Sequence, residues 1–200
     1  MTVWYVARGA GLAALMLLSL STCLGALMTG RGKAATRVVW HYLHRVAAAL
    51  GLGALALHLG SILADSYAHV GWTASIVPFT SSFRPTWVGL GTLAIYTFVV
   101  VSMLGFVRGR MAASALGTKV WRGLHSLAYA GWAMAMLHGL KSGTDSSVGW
   151  VRLIYIACGV GVIGSVAVRV GLERRPDLVR GAGSTPTPTP VRTLVKAESR

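Results

Sequence analysis

Acidic residues are scarce in this chain: 5 Asp and Glu among 200 residues, against 19 Lys and Arg, for a net charge of +14. Charge of either sign is scarce too, at 12% of residues, about half the fraction usual in a soluble domain. Set beside 54% hydrophobic residues and a mean hydropathy of +0.62, this excludes a soluble globular enzyme and a disordered chain. Cysteine is nearly absent. Cys23 and Cys158 both lie in apolar segments, which excludes a disulfide scaffold and offers no metal-ligand spacing. A bridge between them would require both to lie at one membrane depth. The excess positive charge gathers at the ends of apolar runs, where it reads as a topology signal and not as a nucleic-acid surface.

Long apolar runs are plentiful. A membrane-crossing helix needs about 20 mostly apolar residues, and five stretches qualify: Gly9 to Met28, Val38 to Ala64, Val88 to Val107, Val120 to Leu140 and Val151 to Val170. The expected fold is therefore an all-α membrane protein, a bundle of about five transmembrane helices over residues 1–172. The 25 glycines, many inside these runs, allow close helix approach or leave room for a large planar ligand. The first run, after Arg8, is too long for the apolar region of a signal peptide and has no Ala-x-Ala site behind it, so we read it as a retained span. Within the loop from Asp65 to Trp87, the segment Trp72 to Phe79 fits an interfacial aromatic anchor. Residues 173–200, with the Thr-Pro repeat from Thr185 to Pro190, read as a disordered cytoplasmic tail.

Basic residues set the orientation. Arg31, Lys33 and Arg37 occupy the first loop, Arg108, Arg110, Lys119 and Arg122 the third, and Arg169, Arg174, Arg175, Arg180, Arg192, Lys196 and Arg200 follow the last span. The opposite side holds Arg8, Arg84, Lys141 and Arg152, with Asp65 and Asp145. Five spans with the N-terminus outside and the C-terminus in the cytoplasm satisfy every loop. The chain is thus expected to be a multi-pass protein of the cell membrane.

Four of the six histidines form a pattern. His44 and His58 lie 14 residues apart in the second span, and His125 and His138 lie 13 apart in the fourth. At 1.5 Å per residue these separations are about 21 and 20 Å, close to the distance between the two leaflets of a hydrocarbon core about 30 Å thick. The two spans run the same way, so His44 and His125 should share an inner depth and His58 and His138 an outer one. Two histidines facing each other at one depth provide the axial ligands of a six-coordinate b-type haem. The chain has no Cys-x-x-Cys-His attachment motif. A single intramembrane histidine more often only bonds a neighbouring helix. Two pairs at matched depths point to function and lead to an expectation of two haems.

Fourteen residues is nearly four turns, so His44 and His58 share a helix face, with Gly51 midway on it as room for a porphyrin edge. The 13-residue spacing leaves His125 and His138 about 140° apart on a straight helix. Either the helix is distorted near Gly131 or the two haems approach it from different sides. His41, one turn before His44, reads as an interfacial residue, with inner ligation as its alternative. His69 reads as a surface residue of the outer loop. Arg45 and Arg122, beside the inner pair, are candidate partners of haem propionates or snorkelling cations. Arg84 and Lys141 are weaker outer equivalents.

The spacing His44…His58, with Trp121-Arg122-Gly123-Leu124-His125-Ser126-Leu127-Ala128-Tyr129…His138, resembles the ferric reductase-like transmembrane domain. That superfamily includes ferric reductases, NADPH oxidases and the haem-binding membrane subunit of the periplasmic methionine sulfoxide reductase system. The resemblance covers roughly Thr36 to Lys141 and is closest to the bacterial haem-binding subunits, although relatives often have six spans. It implies a b-type cytochrome passing electrons across the membrane, from a cytoplasmic flavoprotein or a membrane quinol to a periplasmic or extracellular acceptor. The chain has no Gly-x-Gly-x-x-Gly loop in a βαβ setting, so it is expected to bind neither flavin nor NADPH itself. It reads as an electron-transfer subunit of an oxidoreductase. The alternatives are a direct transmembrane ferric or oxygen reductase, and a haem-free transporter or scaffold.

Overall fold

The computed structural model describes residues 2–28, 34–65 and 70–174. Every regular element among them is helical: α1 (Thr2–Leu27), α2 (Ala34–Ala64), α3 (Trp72–Ile76), α4 (Pro85–Met111), α5 (Ala115–His125), α6 (Leu127–Ser142) and α7 (Gly149–Glu173). Four of these, α1, α2, α4 and α7, are long and apolar enough to cross a membrane. Arg31, Lys33, His69 and the tail beyond Arg174 lie outside the described residues.

The expected span Val120 to Leu140 is divided between two helices. α5 ends at His125, Ser126 forms a turn, and α6 runs for 16 residues, about 24 Å at 1.5 Å per residue against a hydrocarbon core of about 30 Å. The cause is local. The Ser126 hydroxyl donates to the Gly123 carbonyl at 2.6 Å, a side-chain bond that competes with the helical ladder. The next turn tightens to a three-residue step, Tyr129 N–H to the Ser126 carbonyl at 3.0 Å. Of the two readings of the 13-residue spacing, a helix distortion is present, but at Ser126, five residues before Gly131. Gly131 is buried in unbroken helix where α6 meets α4, and a Cβ there would stand 2.9 Å from the Thr97 methyl. Gly51, expected to make room for a porphyrin, lies where α2 meets α1, with Leu18 2.9 Å from an added Cβ. Small residues at such points let backbones approach without a lipid-excluding gap.

α1 packs antiparallel on α2 and also touches α6 and α7, while α4 packs on α5 and α6. The first apolar run is thus an integral part of the bundle. At its centre Leu15 and Leu18 of α1 meet Ala94 and Phe98 of α4, Trp132 and Met136 of α6 and Val162 of α7. The buried Trp132 indole donates to the Ser19 hydroxyl at 2.9 Å, which satisfies the one polar atom this aromatic brings into the core. The outer surface is apolar as well: Phe106 is 84% exposed, Val38 69% and Val160 68%. A largely apolar exterior on helices of spanning length belongs in lipid, and the chain is a membrane protein.

The loop after α2 folds back on α4. The Thr92 hydroxyl donates to the Ala74 carbonyl at 3.2 Å and the Tyr96 hydroxyl to that of Ile76. Phe79 takes a left-handed φ of 69° against Gly89. Pro85 then opens α4 at a position where its missing N–H costs nothing.

Candidate functional site: two facing histidine pairs

The bundle brings the four histidines together in the expected pairs. The His44 and His125 rings lie 6.2 Å apart between centroids, at 68°. His58 and His138 lie 6.4 Å apart, at 75°. The apolar core of Phe98, Trp132 and Leu18 separates these two layers.

Three of the four rings are fixed in the same way. His58 Nδ1 bonds the Ala7 carbonyl at 2.7 Å, His138 Nδ1 the Trp87 carbonyl at 2.8 Å, and His44 Nδ1 the Ser21 carbonyl at 2.8 Å. A carbonyl can only accept, so each Nδ1 carries its proton and each Nε2 keeps a free lone pair. Such a bond sets the tautomer and orientation of a metal-binding histidine and raises its basicity. The Ser21 hydroxyl also stands 3.0 Å from His44 Nδ1 and donates to the His44 carbonyl at 3.2 Å.

Glycine makes these seats accessible. In a helix the Cβ of residue i+4 leans back over the carbonyl of residue i. Four residues after Ala7, Ser21 and Trp87 stand Gly11, Gly25 and Gly91. A Cβ at those positions would lie 2.8 Å from His58, 3.2 Å from His44 and 2.7 Å from His138. Gly11 and Gly25 are 14 residues apart, the interval between His58 and His44 that face them. This signal was present in the sequence, hidden among many glycines that serve helix contact.

The His58/His138 layer opens into a cavity of about 1020 Å³, lined also by Trp132, Tyr155, Arg8 and Ser142. Arg8 pairs with Asp145, yet its Nε and the Ser142 hydroxyl are buried without a hydrogen-bond partner. In the sequence Arg8 reads only as a topology charge. The cations expected at this end stand elsewhere: Arg84 donates to the Lys141 carbonyl, and Lys141 Nζ lies 5.8 Å from the Trp87 ring.

At the other layer Trp121 stacks on His125, centroids 4.8 Å apart and 17° between planes. Arg108 covers Trp121 at 5.1 Å and donates to His41 Nε2 at 3.3 Å, which occupies His41. Arg45 and Arg122 are exposed. Cys23 and Cys158 are free thiols that line one small pocket with Met16 and Gly161, so they do share a depth.

Gly159, Gly161 and Gly164 match the letters of a dinucleotide fingerprint, but they lie inside α7 with no strand leading into them, so the phosphate-binding turn is missing. Among the described residues no three His, Cys, Asp or Glu side chains converge on one point. No family model, curated protein or solved structure matches the chain. By fold and site it is a helical membrane protein with two stacked layers of paired histidines.

Proposed function

We propose that the chain is a b-type cytochrome of the ferric reductase-like kind, crossing the cell membrane five times with its C-terminus in the cytoplasm. It carries electrons from a cytoplasmic flavoprotein or a quinol to an acceptor outside, through two haems ligated by His44/His125 and His58/His138. The supporting observation is the spacing of the rings. A first-row metal bonds an imidazole nitrogen at about 2.0 Å, and that nitrogen lies about 1.2 Å from the ring centre, so two imidazoles on opposite sides of one metal have centres about 6.4 Å apart. The separations in the bundle are 6.2 and 6.4 Å.

The donor count narrows the ligand further. Two nitrogens fall short of the four ligands of a structural zinc site, so a metal held by one pair must bring its remaining ligands with it. A porphyrin brings four. Bound at the two layers, haem supplies a one-electron iron couple at each depth. The chain itself holds the Nε2 atoms of His44, His58 and His138 free by anchoring Nδ1, excludes water with the apolar core between the layers, and sets Arg8 and Ser142 at the polar end of the cavity, suited to carboxylates.

The test uses the purified protein in vesicles loaded with ferricyanide, with a flavin reductase, its flavin and NADPH added outside. Ferricyanide inside should be reduced, and no NADPH should be consumed when the reductase is omitted. Haem-loaded protein that leaves the trapped ferricyanide oxidised would refute transmembrane transfer. Direct reduction of an added ferric chelate by the reduced protein would identify the self-sufficient reductase instead.

A further inference from the structure

His125 departs from the other three. Its Nδ1 is buried and falls short of good hydrogen-bond geometry, and its ring rests on Trp121, which is pinned through Nε1 to the Leu104 carbonyl at 2.9 Å. The backbone acceptor beside it is the Val101 carbonyl. Four residues beyond Val101 stands Gly105, where an added Cβ would meet nothing within 4 Å. Val101 and Gly105 follow Trp87 and Gly91 on α4 by 14 residues, as Ser21 and Gly25 follow Ala7 and Gly11 on α1. The carbonyl-and-glycine pair thus occurs four times, twice on each helix; three copies hold a histidine in a well-formed bond, and the fourth faces His125 without one.

We propose that the Val101 carbonyl and Gly105 form the fourth seat, into which His125 settles when haem binds between it and His44. Gly105 is then a positioning residue for that haem. The inference rests on haem ligation by the histidine pairs. The incomplete seating of His125 has a structural cause. The carbonyls on α4 repeat at 14 residues while His125 and His138 are 13 apart, a mismatch of about 1.5 Å along a helix, and His125 ends α5 at the Ser126 break. That joint lets α5 adjust independently of α6. Once seated, Nδ1 donates to Val101 and leaves Nε2 to the iron, as in the other three rings.

Gly105 offers an unusually clean test, because it is exposed and nothing packs where its Cβ would be. Alanine there should favour the bare helix yet obstruct the seat. Haem affinity and low-spin EPR signals should be measured for Gly105→Ala, Gly105→Val and, as a control one turn on, Gly109→Ala, whose added Cβ also meets nothing within 4 Å. We expect Gly105→Ala to weaken the haem of the His44/His125 layer about 10–100-fold and alter its signal alone, Gly105→Val to lose that haem, and Gly109→Ala to keep both. Wild-type protein with two haems and a Gly105→Ala variant indistinguishable from it would overturn the fourth seat while leaving haem ligation intact. The same effect from Gly109→Ala would overturn it too, by reducing it to a general property of α4. Wild-type protein that binds no haem would overturn the haem reading and the seat with it.

Discussion

In the His58/His138 layer both rings are anchored to backbone carbonyls, whereas in the His44/His125 layer only His44 is. The anchored rings sit within continuous stretches of α2 and α6, and the unanchored one ends a helix at a break. The layers differ in their surroundings as well. One opens into a large cavity with Arg8 and Ser142 at its polar end. The other is flanked by Trp121, Arg108 and the exposed Arg45 and Arg122. The same ring spacing is thus built once with both rings bonded and once with one, and what separates the two is the continuity of the helix that carries the histidine.

The largest effects should come from the four histidines proposed as haem ligands. His58→Ala should lower the haem-to-protein ratio from two to one and leave the His44/His125 spectrum unchanged, and His44→Ala should do the reverse. Pyridine haemochrome and EPR spectra distinguish these outcomes, and loss of both haems from a folded single variant would show that the layers are not independent.

Next in size is the crowding of a filled seat. Gly91→Ala places a methyl 2.7 Å from His138, where overpacking costs about 1–3 kcal/mol. Thermal unfolding in detergent should show this loss together with weaker haem binding in the His58/His138 layer. Unchanged stability would mean that the seat gives way freely and that the two layers do not differ in rigidity.

Arg8→Gln should weaken retention of the haem of the same layer several-fold, and Arg84→Gln should not, because Arg84 is engaged with the Lys141 carbonyl. Haem-transfer rates to apomyoglobin would measure both. Equal effects from the two substitutions would remove Arg8 from the cavity's polar end.

The smallest effect is expected from Ser21→Ala. His44 keeps the Ser21 carbonyl, and only the hydroxyl's contacts are lost. An interhelical hydrogen bond in a bilayer is worth about 0.6–2 kcal/mol, so a modest fall in stability with both haems retained should follow. Loss of the His44 haem would show that the hydroxyl, not the carbonyl, holds the ring.

Much of this was legible in the sequence because lipid imposes simple rules. Four of the five apolar runs became long helices, extended by two to seven residues at most of their ends, and the matched depths of His44 with His125 and His58 with His138 followed from spacing alone. The break at Ser126 was not legible, since no proline marks it and the signal is a hydroxyl competing for a carbonyl. Arg8 lies at the end where the charge pattern puts it, paired with Asp145, but its place in the cavity lining was not legible, because α1 begins as early as Thr2. The seats were visible only as equal intervals between glycines, which mean nothing until the facing helix is known.

Haem content of the purified wild-type chain tests the central claim most directly. Pyridine haemochrome analysis with low-temperature EPR should give two b-type haems per chain, both low-spin, as two nitrogen ligands on each iron require. No haem, or a high-spin iron with one open position at the His58/His138 layer, would contradict it.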